Sequence, residues 1–265
     1  LKIRASLTAQ TKAISRISMS YITKKLLRPF QGSALVLALI LFPQLGESST
    51  ETELFLPYRA EYAVDYSGFS AKRVITLETV GDEYVLNAIT TLKGIARLSG
   101  YGPVYEVSRF SIVGGVVRPS RYTISEKKPN PKRDIQIEFN WETGMSSGYA
   151  KGEAQSFPIS LGIQDPLSFE LMARLNLIKG IKDFSMEVNE GHRVREYRFI
   201  EKENHTLYPG DYAVSTSRFF IDRNSSRELY YWFADENLYL PIQVQQVHGQ
   251  KIKGTINLEK SSLLQ

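Results

Sequence analysis

Apolar and polar residues alternate with period two in several stretches of the chain. Tyr58, Ala60, Tyr62, Val64 and Tyr66 fall on one face, with Arg59, Glu61 and Asp65 on the other. Ile135, Ile137, Phe139 and Trp141 alternate with Gln136, Glu138 and Asn140, and Phe184, Met186 and Val188 with Ser185 and Glu187. Leu238, Leu240, Ile242 and Val244 repeat the pattern until Gln245-Gln246 breaks its phase as a bulge would. Successive side chains of a strand point to opposite faces, so each stretch predicts a strand with one buried and one wet face. One-sided strands belong to antiparallel sheets, because parallel strands are covered on both faces.

Between these runs stand Gly81-Asp82, Gly114-Gly115, Pro129-Asn130-Pro131, Asn189-Glu190-Gly191 and Pro209-Gly210-Asp211. They supply Gly or Asn for positive φ, or Pro for a fixed φ, and so predict turns in a meander. One segment has helical period. Over residues 166–179, Leu167, Leu171, Met172, Leu175 and Ile178 form an apolar stripe at steps of three and four. Asp165 and Pro166 suit the helix start and Gly180 its end. A mainly β chain with one packed amphipathic helix is the predicted class.

Composition changes the picture at the N-terminus. The chain has 265 residues, 33 basic and 28 acidic, with a formal charge of +5. Residues 1–48 hold seven of the basic and one of the acidic residues, which leaves 49–265 at −1. The basic pI is therefore local, and it gives no argument for nucleic-acid binding by the body of the chain. Lys24, Lys25 and Arg28 precede the nine-residue apolar run Ala34–Phe42, then come Pro43 and Gly46-Glu47-Ser48. That order is expected of a secretory signal peptide spanning 19–48, since the run falls short of the roughly 20 residues of a membrane span. Residues 1–18 are expected to lie upstream of a start at Met19, with an organelle transit peptide as the other reading. Residues 49–265 are then a single β-rich domain, exported to the periplasm, with no transmembrane segment in the mature chain.

Motifs for chemistry are sparse. There is no cysteine, which removes disulfides, thiolate nucleophiles and zinc–thiolate sites. His192, His205 and His248 lack metal-ligand spacing, and no Gly-x-Ser-x-Gly, Gly-x-x-x-x-Gly-Lys or Gly-x-Gly-x-x-Gly occurs. Glu61 and Asp65 are the nearest carboxylate pair, and their alternation with tyrosines sends them to the wet face. No catalytic residue, cofactor or metal is expected, and the protein is read as a non-enzyme. The run Lys127-Lys128-Pro129-Asn130-Pro131-Lys132-Arg133 is the densest basic cluster; a solvated loop is the first reading and an anionic lipid headgroup contact the second. Asn204-His205-Thr206 and Asn224-Ser225-Ser226 fit the glycosylation sequon, which matters only in a eukaryotic host.

Aromatic residues are the most suggestive feature. Leu229-Tyr230-Tyr231-Trp232-Phe233 carries bulk on both faces, followed by the polar turn Ala234-Asp235-Glu236-Asn237 and a second strand. The plain explanation is a central strand covered by the helix on one side. The sharper one is that one face lines an apolar ligand cavity.

Trp232-Phe233-Ala234 with Leu238-Tyr239-Leu240-Pro241-Ile242 resembles the C-terminal signature of the bacterial domain-of-unknown-function 3108 family. Leu56-Pro57-Tyr58-Arg59-Ala60-Glu61-Tyr62 resembles its opening strand, and Asp165-Pro166-Leu167-Ser168 its helix start. Asn189-Glu190-Gly191 with Tyr197-Arg198-Phe199 resembles its later hairpin, so the likeness runs over residues 55–258. It implies an exported, β-rich envelope protein, similar in outline to the periplasmic lipoprotein carriers, in which a strongly curved antiparallel sheet (an open or half barrel) wraps around helices. The carriers use several helices where this chain has one. The expected function is non-enzymatic binding of a lipid or acyl chain within the sheet, with Phe139, Trp141, Tyr230 and Trp232 as candidate lining residues. The alternative is a structural or scaffolding envelope protein that binds another protein.

Overall fold

The alternating segments pair into one antiparallel sheet of fifteen strands in the computed structural model, which describes residues 53–94, 102–127 and 130–264. The first eight strands are β1 (Tyr58–Tyr66), β2 (Phe69–Val80), β3 (Glu83–Leu92), β4 (Val104–Val113), β5 (Val116–Glu126), β6 (Ile135–Asn140), β7 (Met145–Ala150) and β8 (Glu153–Pro158). After the helix α1 (Ser168–Ile178) come β9 (Phe184–Asn189), β10 (Val194–Glu201), β11 (His205–Leu207), β12 (Val214–Asp222), β13 (Arg227–Ala234), β14 (Pro241–His248) and β15 (Lys251–Ser261). The order across the sheet is β8 through β1, then β15 through β12, then β10 and β9, with β11 paired to β12. The predicted signal segment and the residues before it lie outside the described residues. Residues 46–265 form a compact unit that contains every strand among the described residues, α1 and both apolar clusters, so this unit has the means to fold by itself.

First and last strands meet in the middle of the sheet, and the free edges, β8 and β9, are consecutive in the chain across α1. The connection between them therefore requires the sheet to curl. Bulges at Glu61/Tyr62, Arg109/Phe110, Trp232/Phe233 and Gln246/Val247 supply the curvature, since an extra residue bends and twists the strand that carries it. The predicted phase break at Gln245-Gln246 is the last of these. The edges form no ladder with each other, and the sheet stays open rather than closing into a barrel. They approach through the segment after β8. Gln164 makes a lone parallel bridge to Val188, with its amide donating to the Glu187 carbonyl at 2.8 Å and its carbonyl accepting from Asn189 at 2.9 Å.

Two-residue turns with positive φ at both positions close several hairpins: Ser67-Gly68, Gly114-Gly115, Lys151-Gly152 and Gly249-Gln250. Their backbone twist matches that of the strands they join. The predicted turns at Gly81-Asp82, Gly114-Gly115 and Pro209-Gly210-Asp211 fall between strands, as do the described residues Asn130-Pro131, while Asn189 ends β9 and Glu190-Gly191 follow it. One strand start differs from expectation: β14 begins at Pro241, because Leu238 and Tyr239 both take left-handed backbone, at φ 53° and 52°.

The inner face of the sheet and α1 make up the core. Asp165 Oδ1 accepts from the Leu167 and Ser168 amides at 2.8 Å each, and Ser168 Oγ accepts from the Asp165 amide at 3.0 Å. At the other end Gly180, at φ 75°, ends the helix with Gly180 donating to Leu177 and Ile181 to Asn176. The helix is shorter than the predicted 166–179, and it is not one-sided. No residue from Ile163 to Ile178 is exposed. Leu167, Leu171 and Leu175 join one apolar cluster, while Phe169, Ala173 and Leu177 join another. A helix inside a curled sheet is touched from nearly every direction, which is why both flanks are apolar.

Candidate functional site: the polar strip of the interior helix

At 100° per residue, Glu170 and Arg174 lie one turn apart on a strip between the two apolar flanks of α1. Arg174 has no exposed surface. Its Nε donates to the Leu238 carbonyl at 2.9 Å and its Nη1 to the Tyr58 hydroxyl at 3.1 Å, while the guanidinium carbon lies 5.2 Å from the centre of the Tyr58 ring. Its Nη2 is buried with no partner. One buried cation thus ties the helix to the first strand and to the left-handed turn before β14. Burial raises the pKa of the Tyr58 hydroxyl, and the Arg174 charge pulls it partly back.

Glu170 makes no hydrogen bond to a described residue, although it lies deep in the fold with part of its surface still accessible to a water-sized probe. Burial pushes its carboxyl above the ordinary range, against the charges of Arg174 and Arg73. Tyr62 and Tyr231, both buried, are raised well above the usual phenol value, first by burial and then by the Glu170 charge. Further along the inner face, Arg73 Nη1 bonds Glu106 at 2.5 Å and Thr90 at 3.1 Å. Burial alone would lower the pKa of Arg73; the Glu106 carboxylate more than reverses that. Asp165, fully buried, is raised by desolvation despite bonds from Ser108 at 2.6 Å and from the first helical amides.

This arrangement is an apolar layer with a line of charged and phenolic groups through it. Carboxyl, phenol and guanidinium groups held away from bulk water can grip a polar head by hydrogen bonds, while the flanks of α1 and the inner sheet face suit hydrocarbon. Among the described residues no group of three metal-ligating side chains is placed to hold a metal. Glu61 and Asp65 are surface groups: Glu61 pairs with Lys72 and Arg59, which hold its carboxyl below the usual range, and Asp65 accepts from Ser70. A separate surface cleft of about 490 Å³ is lined by Tyr212, Val214, Glu236, Asn237 and Leu264 among others.

The structure does not bring the four sequence-predicted lining residues together. Phe139 is buried in the inner cluster. Trp141 is half-buried beside that cluster at the end of β6, with Nε1 donating to the Pro119 carbonyl at 2.6 Å and the Arg118 guanidinium 4.5 Å above its ring. Tyr230 and Trp232 lie on the outer face, where Arg218 stacks 4.6 and 4.9 Å from their ring centres. Their neighbours Tyr231 and Phe233 face the helix, with Phe169 edge-on to Tyr231 at 6.1 Å. Sequence reasoning missed Glu170, Arg174, Arg73 and Glu106. The available signal was a charge in an inward phase, such as Arg73 between Ala71 and Ile75, two buried apolar positions.

The family model described as "Protein of unknown function (DUF3108)" matches residues 61–256. The chain is similar to the crystal structure of a beta-barrel-like protein of domain of unknown function DUF1849 from Brucella abortus, at 11% identity and a TM-score of 0.49, covering 78% of this chain and 97% of that one. It is also similar to a putative outer membrane lipoprotein-sorting protein domain from Vibrio parahaemolyticus, at 10% identity and a TM-score of 0.28, covering 80% of this chain and 88% of that one. No curated protein matches it.

Proposed function

The chain belongs to the DUF3108 family of proteins of unknown function, and we propose that it is an exported, non-enzymatic protein of the cell envelope that holds a lipid or acyl chain between its curled sheet and α1. One observation carries the reading. Among the described residues the interior is filled by one long helix, apolar on both flanks, and the sheet edges on either side of it share no ladder, meeting through the bridge at Gln164 and the side-chain bonds of Asn189 to Ser146 and Ser160 to Glu187. A small opening at that seam would give hydrocarbon access to two apolar clusters without breaking a ladder. Burial of hydrocarbon needs no directional bonds, so broad chain selectivity follows. The polar strip of Glu170, Arg174, Tyr62 and Tyr231 suits an amphipathic ligand better than a purely apolar one. Export rests on the signal-like pattern of residues 19–48, and among the described residues no helix is long and apolar enough to cross a membrane.

A protein-binding scaffold is the second reading. Edge strand β8 favours it, since one side of that strand is open to pair with a partner. Residues 46–265, purified without detergent and extracted for lipid mass spectrometry, separate the two. A stoichiometric lipid supports the ligand reading; a lipid-free monomer that also fails to take up added fatty acid overturns it in favour of the scaffold.

A further inference from the structure

The meander sends alternate turns to opposite ends of the sheet, and the register shows which turns share an end. Tyr66 pairs with Phe69, Ala71 with Leu92, Val104 with Glu126, Ile135 with Ala150, Asn189 with Val194, and Lys251 with His248. The described residues of the connections, 67–68, 93–94, 102–103, 127, 130–134, 151–152, 190–193, 223–226 and 249–250, therefore lie at one end. Their described residues include Lys127, Lys132 and Arg133 in one loop and Lys93, Lys151, Arg193 and Arg223 in the others, against only Asp134 and Glu190. The connections at 81–82, 114–115, 141–144, 179–183, 202–204, 208–213 and 235–240 lie at the other end, with Asp82, Glu142, Asp183, Glu203, Asp211, Asp235 and Glu236 against Lys179, Lys182 and Lys202. A body that is nearly neutral in total is thus strongly polarised from end to end.

The basic end also carries apolar groups in water. Tyr66, Phe69 and Ile252 are 43, 57 and 58% exposed. They sit on two adjacent hairpin tips joined by the Ser67 amide bonding to the Lys253 carbonyl at 2.8 Å. Tyr66 and Phe69 continue the inward phase of β1 and β2 and stand at the rim of the interior, while the bulge at Gln246/Val247 turns Ile252, the partner of Val247, out of that phase on the neighbouring tip. A β-carbon on Gly254 would lie 2.5 Å from the Tyr66 ring, so the absence of a side chain there lets the ring lie over the β15 backbone. Among the described residues, Lys251 and Lys253, which flank Ile252, form no ion pair, while Lys93 pairs with Glu259 at 3.6 Å and Asp65 accepts from Ser70. Some of the other charges at this end are paired, Arg133 with Glu126 and Arg193 with Glu190.

We propose that this end is a membrane-docking face, with Tyr66, Phe69 and Ile252 entering the headgroup layer of an anionic bilayer and the surrounding lysines and arginines contacting lipid phosphates. The partner is a bilayer surface because the apolar area is small and confined to hairpin tips, while the charge around it is broad and of one sign. Exposed aromatic and aliphatic tips within a basic field match the headgroup boundary of anionic membranes. The acidic end then faces away from the membrane, repelled by the same lipids. This inference rests on the ligand reading above only for its purpose, which is that a lipid would move between the bilayer and the rim next to it.

Residues 46–265 are sedimented with sucrose-loaded vesicles of phosphatidylcholine alone or with phosphatidylglycerol, as wild type and as the triple variant Tyr66→Ser, Phe69→Ser, Ile252→Ser. The expected results are binding to the anionic vesicles, weaker binding to the neutral ones, and at least a ~10-fold loss in the triple variant with an unchanged urea midpoint. Lys251→Glu with Lys253→Glu should lower binding to anionic vesicles by roughly tenfold or more, at about fivefold per lysine contact. No wild-type binding to anionic vesicles, or equal binding by the triple variant, overturns the proposal. Uptake of a monomeric fluorescent fatty acid without vesicles tests the ligand reading separately. A variant that takes up the fatty acid but does not sediment supports docking as a distinct step, whereas a wild type that sediments but takes up nothing refutes the interior ligand alone.

Discussion

Replacing Arg174 with Ala and, separately, with Met separates the cost of burying its charge from the packing of its side chain. Arg174→Ala leaves the Leu238 carbonyl and the Tyr58 hydroxyl without their donor. Each polar group left unpaired costs about 1–3 kcal/mol. The deleted side chain also leaves a void in a fully buried position, at about 2–5 kcal/mol by analogy with large-to-small core changes. Against this, the variant no longer buries a guanidinium whose Nη2 has no partner, a gain of about 1–3 kcal/mol. The net loss should be about 3–5 kcal/mol, in the range found when one member of a buried charged network is removed. Arg174→Met removes the same charge but fills most of the space. It retains the loss of two bonds, about 2–6 kcal/mol, against the gain of about 1–3 kcal/mol from relieved burial, and should cost about 1–3 kcal/mol. Equilibrium urea unfolding of residues 46–265, followed by tryptophan fluorescence and circular dichroism, measures both. A Met variant as unstable as the Ala variant would show that the guanidinium bonds, and not side-chain volume, dominate. An Ala variant within about 1 kcal/mol of wild type would mean that water replaces the side chain at little cost, and would refute the account of a sealed site.

Two further predictions concern the interior and the sheet. Burial raises the Glu170 pKa in the folded state, so its favourable contribution is complete below the ordinary value of about 4.3 and is lost as pH rises through the raised folded value. Glu170→Gln should therefore melt higher than wild type at neutral pH, with the gap closing toward pH ~4; a gap independent of pH in calorimetry would contradict the assignment. Gly148 on β7 sits where a β-carbon would lie 1.8 Å from the Gln136 carbonyl oxygen, a backbone atom that cannot swing aside. Gly148→Ala should lower the urea-derived stability by about 2–4 kcal/mol, and a loss below about 0.5 kcal/mol would mean that the β6–β7 pair relaxes freely.

Local signals were legible because their causes are local. Tyr58 through Tyr66 reads as a strand from side-chain alternation, the Gly and Asn turns read from backbone sterics, and the Asp165 and Gly180 ends of α1 read from hydrogen bonds within a few residues. The start of β14 was misread because Leu238 continues the apolar phase while its backbone turns left-handed under a bond from Arg174, 64 residues away in the chain. Tyr230 and Trp232 were reasonable aromatic candidates, and their face could not be chosen, since alternation separates the two faces of a strand without saying which becomes concave.

Residue order alone thus determined several of the strands and turns, the helix, the antiparallel class and the family, all of which follow from contacts and conformational preferences short in sequence. Tertiary structure decided the rest. It paired β1 with β15, put α1 inside the sheet, placed Glu170 and Arg174 on a buried strip, and gathered basic turns at one end and acidic turns at the other. These outcomes depend on how far the sheet curls and which distant segments then meet, and burial, pKa and surface charge take their values only once that has happened.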